Sequence, residues 1–185
     1  MRTAVIDPAT SRVVNTILAA EGFVLDGFRL VASETASIDD LHDPKKNTFG
    51  PPPVPLDERK AALKSAIDAR AGAGMRAGYP HDFGGAYGVQ VLQNRDTKDQ
   101  TNWLSVASVA NTLIAQGQAN APLGSLRTEA NVNVPVTAAQ AASVLTAMQA
   151  YLGGFIARAW ALKDAVATAD ETELTAIDIN AGWPA

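Results

Sequence analysis

The sequence predicts an α+β protein: a small N-terminal β meander, a proline-rich linker, then a mainly α-helical domain of three main helices plus a small two-stranded β ribbon. Three observations carry that expectation. Along Thr137–Thr168, residues Ala138, Ala141, Leu145, Met148, Leu152, Phe155, Ala159, Leu162 and Val166 recur at steps of three and four, which draws an apolar seam down one side of a long helix. β-branched and apolar runs separated by turn-forming residues crowd the stretch Thr3–Ala32. Between the two regions stands Pro51-Pro52-Pro53-Val54-Pro55, a run that cannot donate to a strand ladder and favours a stiff extended path. The expected division is a β module over 1–49, a linker over 50–55 and a helical domain with its ribbon over 56–185.

In order along the chain, Thr3–Ile6 and Arg12–Leu18 read as a hairpin around Asp7-Pro8-Ala9-Thr10-Ser11, and Phe28–Ala32 adds a third strand. A sheet this small is marginal alone and needs something to lean on. Ser37–Pro55 reads as a boundary. Leu56–Ala71 is the first helix, with Asp57 and Glu58 at its positive end and a stop at Gly72-Ala73-Gly74. Gly78–Gly88 then reads as a loop into a strand at Val89–Leu92. Thr97-Lys98-Asp99-Gln100 has the capping-box spacing and opens the second helix, which ends near Gly117. Leu126–Val134 alternates as a strand and pairs, on this reading, with Val89–Leu92. Thr137-Ala138-Ala139-Gln140 caps the long helix, Asp170-Glu171-Thr172-Glu173 caps a short last one, and Trp183 is expected to tuck against the helices.

Composition narrows the function classes. The 185 residues are 47% hydrophobic and 18% charged, enough to bury a core, with aromatics at only 6%. A net charge of −4 with dispersed Lys and Arg argues against a nucleic-acid surface. There is no cysteine, hence no disulfide or thiolate chemistry, and no run of apolar residues reaches membrane-spanning length.

A search for chemistry yields none. His42 and His81 lie in loops without ligand spacing, Asp39-Asp40 and Asp170-Glu171 are adjacent rather than opposed, and no serine sits in a nucleophile elbow. Gly84-Gly85-Ala86-Tyr87-Gly88 matches no phosphate-cradling loop, so no cofactor, metal or catalytic residue is assigned. Off the main seam, Tyr151, Arg158 and Trp160 are the candidate protein-contact residues: the aromatics either widen the buried face or mark an interface. Arg158 either pairs with a neighbouring chain or lays its stem on apolar surface. The seam itself (Leu145, Met148, Leu152, Phe155, Leu162 and Val166 above all) is expected to be core first and interface second, since the other helices have nowhere else to bury their apolar sides.

Two parts of the chain resemble proteins encoded in tail gene clusters of tailed bacteriophages. Ala4-Val5-Ile6-Asp7-Pro8, Val13-Val14-Asn15, Gly22-Phe23, Ile38-Asp39-Asp40 through Asp43-Pro44, and Thr48-Phe49-Gly50-Pro51-Pro52 resemble a short N-terminal module of those proteins. From about Leu56 to Trp183, the succession of an arginine-containing helix, a glycine-led strand, a polar helix start and Trp103, an alternating strand, Val136-Thr137-Ala138-Ala139-Gln140 and an alanine-rich long helix is similar to an uncharacterised domain common in tail-fibre and tail-assembly proteins, whose usual aspartate-rich strand-to-helix junction is shifted here to Gln93-Asn94-Arg95-Asp96. The resemblance implies a non-enzymatic structural component at or next to the tail fibre or baseplate that mediates protein–protein attachment, or alternatively a fibre-assembly chaperone not retained in the virion. It implies other tail, fibre and baseplate proteins as partners and a homo-oligomer, with a trimer favoured. It implies a place in the virion tail after assembly in the host cytoplasm, while charge and the lack of a long apolar run imply no nucleic acid and no membrane insertion.

Overall fold

A computed structural model describes residues 1–184, and the chain divides into two compact units, Met1–Pro55 and Leu56–Ala185. Small sheets beside four helices make it an α+β protein, as the sequence predicts. Among the described residues no helix is long and apolar enough to cross a membrane.

In the first unit, β1 (Arg2–Ile6), β2 (Val13–Leu18) and β3 (Arg29–Ala32) form an antiparallel sheet in the order β2-β1-β3, not the sequential order of a meander. Burial explains the placement. Thr3 through Ile6 are all buried, whereas β2 beyond Val13 is half-buried or exposed, and a strand covered on both faces belongs in the centre of its sheet. Ala4, Ile6, Val13 and Ala36 make the core, with Val31 and Phe49 packed against it. A second hairpin, β4 (Leu41–Asp43) and β5 (Thr48–Gly50), lies in the stretch the sequence reads only as a boundary. Three-residue strands are too short to show alternation. Their turn is local chemistry: Asp43 Oδ1 accepts the Lys45 and Lys46 amides at 2.9 and 3.3 Å, and Asn47 takes a φ of 52°. His42 is buried beneath it. The Arg29 guanidinium can only donate, so Nδ1 of His42 accepts from it and Nε2–H donates to Asn47 Oδ1 at 3.0 Å.

The second unit opens with α1 (Leu56–Arg76), which runs straight through Gly72-Ala73-Gly74, where the sequence places its stop. The physical reason is packing: a Cβ on Gly74 would lie 2.1 Å from Phe155 Cε1, so the glycine admits a ring rather than ending a helix. The chain turns instead at Gly78, φ 84°. β6 (Tyr79–Asp82) then pairs antiparallel with β7 (Val89–Leu92), which replaces the expected pairing of Val89–Leu92 with Leu126–Val134. Pro80 conceals β6 in the sequence, yet a two-stranded ribbon has free edges that tolerate a missing N–H.

α2 (Thr97–Ala115) is capped by Asp96, whose Oδ1 accepts the Asp99 amide at 3.0 Å, so the expected Thr97 cap is displaced by one residue. The single strand expected over Leu126–Val134 is a hairpin, β8 (Pro122–Arg127) and β9 (Asn133–Thr137). Its turn closes through Thr128 N–H to Val132 O at 2.9 Å with Asn131 at φ 62°, a conformation asparagine accepts readily. Leu126, Thr128 and Val134 are nevertheless all buried, as the alternation predicts, while Ala130 at the turn is exposed.

α3 (Ala138–Thr168) has the predicted capping box: Thr137 Oγ1 accepts the Gln140 amide at 3.3 Å and Gln140 Oε1 accepts the Thr137 amide at 2.9 Å. α4 (Glu171–Ala176) is capped the same way by Asp170 and Glu173. All nine seam residues of α3 are buried. They serve two cores. Ala141, Leu145, Met148 and Leu152 pack with Leu92, Ala110, Leu126, Val134 and Val136, whereas Ala159, Leu162 and Val166 pack with Ile67 and Ala71 of α1 and Leu174 of α4.

The two kinds of helical glycine separate in a denaturant titration. Nothing lies within 4 Å of a Cβ built on Gly153, so Gly153→Ala raises stability by about 0.5–1 kcal/mol. Gly74→Ala lowers it by about 1–3 kcal/mol, since the buried Phe155 ring must move. An unchanged midpoint for Gly74→Ala would show that α1 and α3 can part at no cost.

Candidate functional site

The structure does not bring Tyr151, Arg158 and Trp160 together. At ~100° per residue, positions 151 and 160 fall on opposite sides of α3, so the flank expected to carry both does not exist. Tyr151 is half-buried in a string of rings internal to the unit: Phe83–His81 at 4.7 Å between centroids, His81–Tyr79 at 5.6 Å, Tyr79–Tyr151 and Tyr151–Phe155 at 5.3 Å, and Phe155–Trp183 at 5.9 Å. Edge-on and tilted arrangements of this kind add to area burial. Arg158 is also engaged within the chain, its Nε donating to the Ala181 carbonyl at 3.1 Å. Together with Arg70, which lies over the Trp183 ring at 5.8 Å and reaches the Asn180 carbonyl at 3.4 Å, it fastens the C-terminal segment. Trp183 thus tucks against the helices as expected, with its Nε1–H on the Ile179 carbonyl at 2.8 Å. Only Trp160, 64% exposed, presents its ring to solvent, with Ile156 one turn away at 39%.

The junction Gln93-Asn94-Arg95-Asp96 is built to join two helices. Asn94 is buried and donates through Nδ2 to the Met75 carbonyl at 3.2 Å, which also accepts the Gly78 amide at 3.3 Å, so the junction is tied to the end of α1. The Gln93 carbonyl accepts Trp103 Nε1–H at 2.6 Å, which places the first turns of α2. Arg95 clamps Asp99: its amide and Nε donate to Oδ2 at 2.9 Å each and its Nη2 to Oδ1 at 3.1 Å. This clamp, foremost the side-chain bond from Arg95, holds the Asp99 carboxyl below the usual carboxylate range, against the opposing effect of burial. Arg127 nearby braces the β8–β9 turn through Asn131 Oδ1 at 3.1 Å and Asn133 Oδ1 at 3.3 Å. These are positioning interactions. Among the described residues no group of three His, Asp or Glu side chains gathers as a metal site.

Sequence reasoning passed over two features. On the first unit, Leu18, Phe23, Val24 and Phe28 surround the loop between β2 and β3 and are 86%, 49%, 81% and 43% exposed. A burial argument from the alternation around β2 would have found Leu18, but Phe23 and Val24 carry no periodic signal. The second feature is a cleft between the β6–β7 hairpin, β9 and the first turns of α3, with His81, Asp82, Phe83, Tyr87 and Gln140 on its walls. Those residues meet only through the fold.

Two substitutions test the division of the α3 residues. Tyr151→Ala costs about 1–3 kcal/mol by thermal or chemical denaturation because it breaks the ring string. Trp160→Ala stays within about 0.5 kcal/mol. The Asp99 clamp has a signature in pH. A carboxyl depressed in the folded state contributes stability above its unfolded value near ~3.9 and loses it as pH falls through the folded value. The stability gap between wild type and Asp99→Asn is therefore full above about pH 5 and closes progressively in more acidic buffer; a gap independent of pH would deny the clamp its charge.

No curated protein and no solved structure matches the chain. A family model does match, over residues 58–181, which takes in α1 from its first turn, both hairpins of the second unit, α2, α3 and α4 and leaves the first unit outside. The helical unit built around the shared seam of α3 is that family's domain, and the chain belongs to the family described as a domain of unknown function, DUF4376.

Proposed function

We propose that this protein is a non-enzymatic structural component of a bacteriophage tail, at or next to the fibre or baseplate, where it attaches one tail protein to another. The observation that carries the reading is the apolar loop of the first unit. Leu18, Phe23, Val24 and Phe28 are left in solvent beside a small core of Ala4, Ile6, Val13 and Ala36 with Val31 and Phe49 packed against it. A unit with so small a core gains stability from any partner that covers the loop, and apolar side chains exposed close together in sequence are what such a partner would cover. The kind of partner, a fibre or baseplate protein, comes from the resemblance of both parts of the chain to tail-cluster proteins. Self-association fits the second unit. α3 carries no charged residue from Ala138 to Ala157, and Ile156 and Trp160 stand on its solvent side. A trimer is the favoured state, and the place of action is the tail of the virion after assembly in the host cytoplasm.

Mass spectrometry of purified virions is expected to find the chain in mature particles. Its presence in assembly intermediates but absence from mature ones would replace the structural role with that of an assembly chaperone. In solution, light scattering should give about 58 kDa, three chains of 19.3 kDa. Replacing Phe23 and Val24 together by serine should abolish co-sedimentation with tails while leaving the circular dichroism unchanged; full incorporation of that variant would sink the docking role of the loop.

A further inference from the structure

The cleft in the second unit has the dimensions and the polarity of a small-ligand site. Its volume is about 350 Å³, within the range of ~300–1,000 Å³ typical of such sites. Three polar side chains on its walls are each held by one atom and keep the other for a ligand. His81 Nδ1 is bonded to the Tyr79 hydroxyl at 3.2 Å, leaving Nε2. Asp82 Oδ1 accepts the Gly84 amide at 2.9 Å, leaving the second carboxylate oxygen. Gln140 Oε1 accepts the Thr137 amide at 2.9 Å as part of the α3 cap, leaving the amide NH₂. Side chains fixed before binding lose little rotamer freedom when a ligand arrives, so weak individual hydrogen bonds are not cancelled by ordering.

Ser143 adds a hydroxyl to the α3 wall, and the other walls are apolar and partly aromatic. The Phe83 ring stands edge-on to His81 at 4.7 Å, and Tyr87, 38% exposed, also lines the cleft. The combination narrows the ligand. An anion would face the Asp82 carboxylate with no lysine or arginine on the wall, and a simple cation, though drawn to that carboxylate, has no acceptor to offer the Gln140 NH₂. A wholly apolar ligand would strip water from several polar atoms and return nothing. What satisfies all the walls is a neutral ring with one apolar C–H face and several hydroxyl groups that both donate and accept. We infer that this cleft binds a neutral pyranose, its C–H face against Phe83 and Tyr87 and its hydroxyls bonded to Asp82, Gln140 and His81. The inference stands on unit-two geometry alone and is independent of the tail assignment.

The test is a ¹H–¹⁵N correlation titration of the full chain with glucose, galactose, N-acetylglucosamine and rhamnose in separate series. At least one sugar should produce saturable shifts confined to amides of 81–87 and 134–144, with Kd of about 1–10 mM. Two variants keep the fold while removing the contacts: Tyr87→Ala takes away an exposed ring, and Gln140→Glu retains the acceptor that caps α3 but loses the NH₂ donor. Each is expected to weaken the response about tenfold. Absence of saturable shifts for all four sugars at about 100 mM, a response undiminished in both variants, or equal shifts with p-cresol, which has a ring but no set of hydroxyls, would each overturn the assignment.

Discussion

Gly74 of α1 and Phe155 of α3 approach so closely that no side chain fits between them, and the architecture of the larger unit follows from that contact. With the ring seated on bare backbone, α1 can lie along the second half of α3, where Ile67 and Ala71 meet Ala159, Leu162 and Val166. The same ring touches Tyr151 on one side and Trp183 on the other. Phe155 thus joins the aromatic string, which passes through Tyr79 and His81 of β6, to the C-terminal segment held by Arg70 and Arg158. A side chain at 74 would push α1 away from all of these at once, because a close-packed interior transmits displacement rather than absorbing it.

One long helix can serve two cores only if its ends are secured and its partners arrive from different parts of the chain. The Thr137–Gln140 box secures the start of α3 and Asp170 starts α4 directly after its end, both by bonds between near neighbours in sequence. The partners are set by the Gln93–Asp96 junction, where Asn94 closes the end of α1, Gln93 holds Trp103 and Asp96 caps α2. That junction is polar and buried in part, and every member has a partner, which is the condition under which buried polar groups specify a structure instead of weakening it. The seam is consequently consumed by its own unit. What α3 offers to the outside is the opposite side, with Trp160 and Ile156.

The features legible beforehand were those whose causes lie within a few residues. Stepping of apolar residues along Ala138–Val166, the boxes at Thr137 and Asp170, the strands around Asp7–Ser11 and the alternation of Leu126, Thr128 and Val134 all depend on local periodicity or on side chains bonding nearby backbone. Where two neighbouring residues could both do the job, as Asp96 and Thr97 could, local reasoning chose the wrong one by a single position. Strand partnership was not legible. Val89–Leu92 could pair on chemical grounds with either of two segments, and the turn at Thr128–Val132, which folds Pro122–Arg127 onto Asn133–Thr137, decided between them.

The amino-acid sequence by itself determined the fold class, the long helix and the side of it that is buried, because burial periodicity and capping are properties of a short stretch of chain. Only the tertiary structure decided that α1 runs on through Gly72-Ala73-Gly74, with Gly74 a seat for the Phe155 ring and not a stop, and that Tyr151 supports a ring string while Trp160 faces water. It alone gathered His81, Asp82, Tyr87 and Gln140 around one cleft. Each of these depends on a contact between residues far apart in sequence, whose cost and gain are set by what the fold brings alongside.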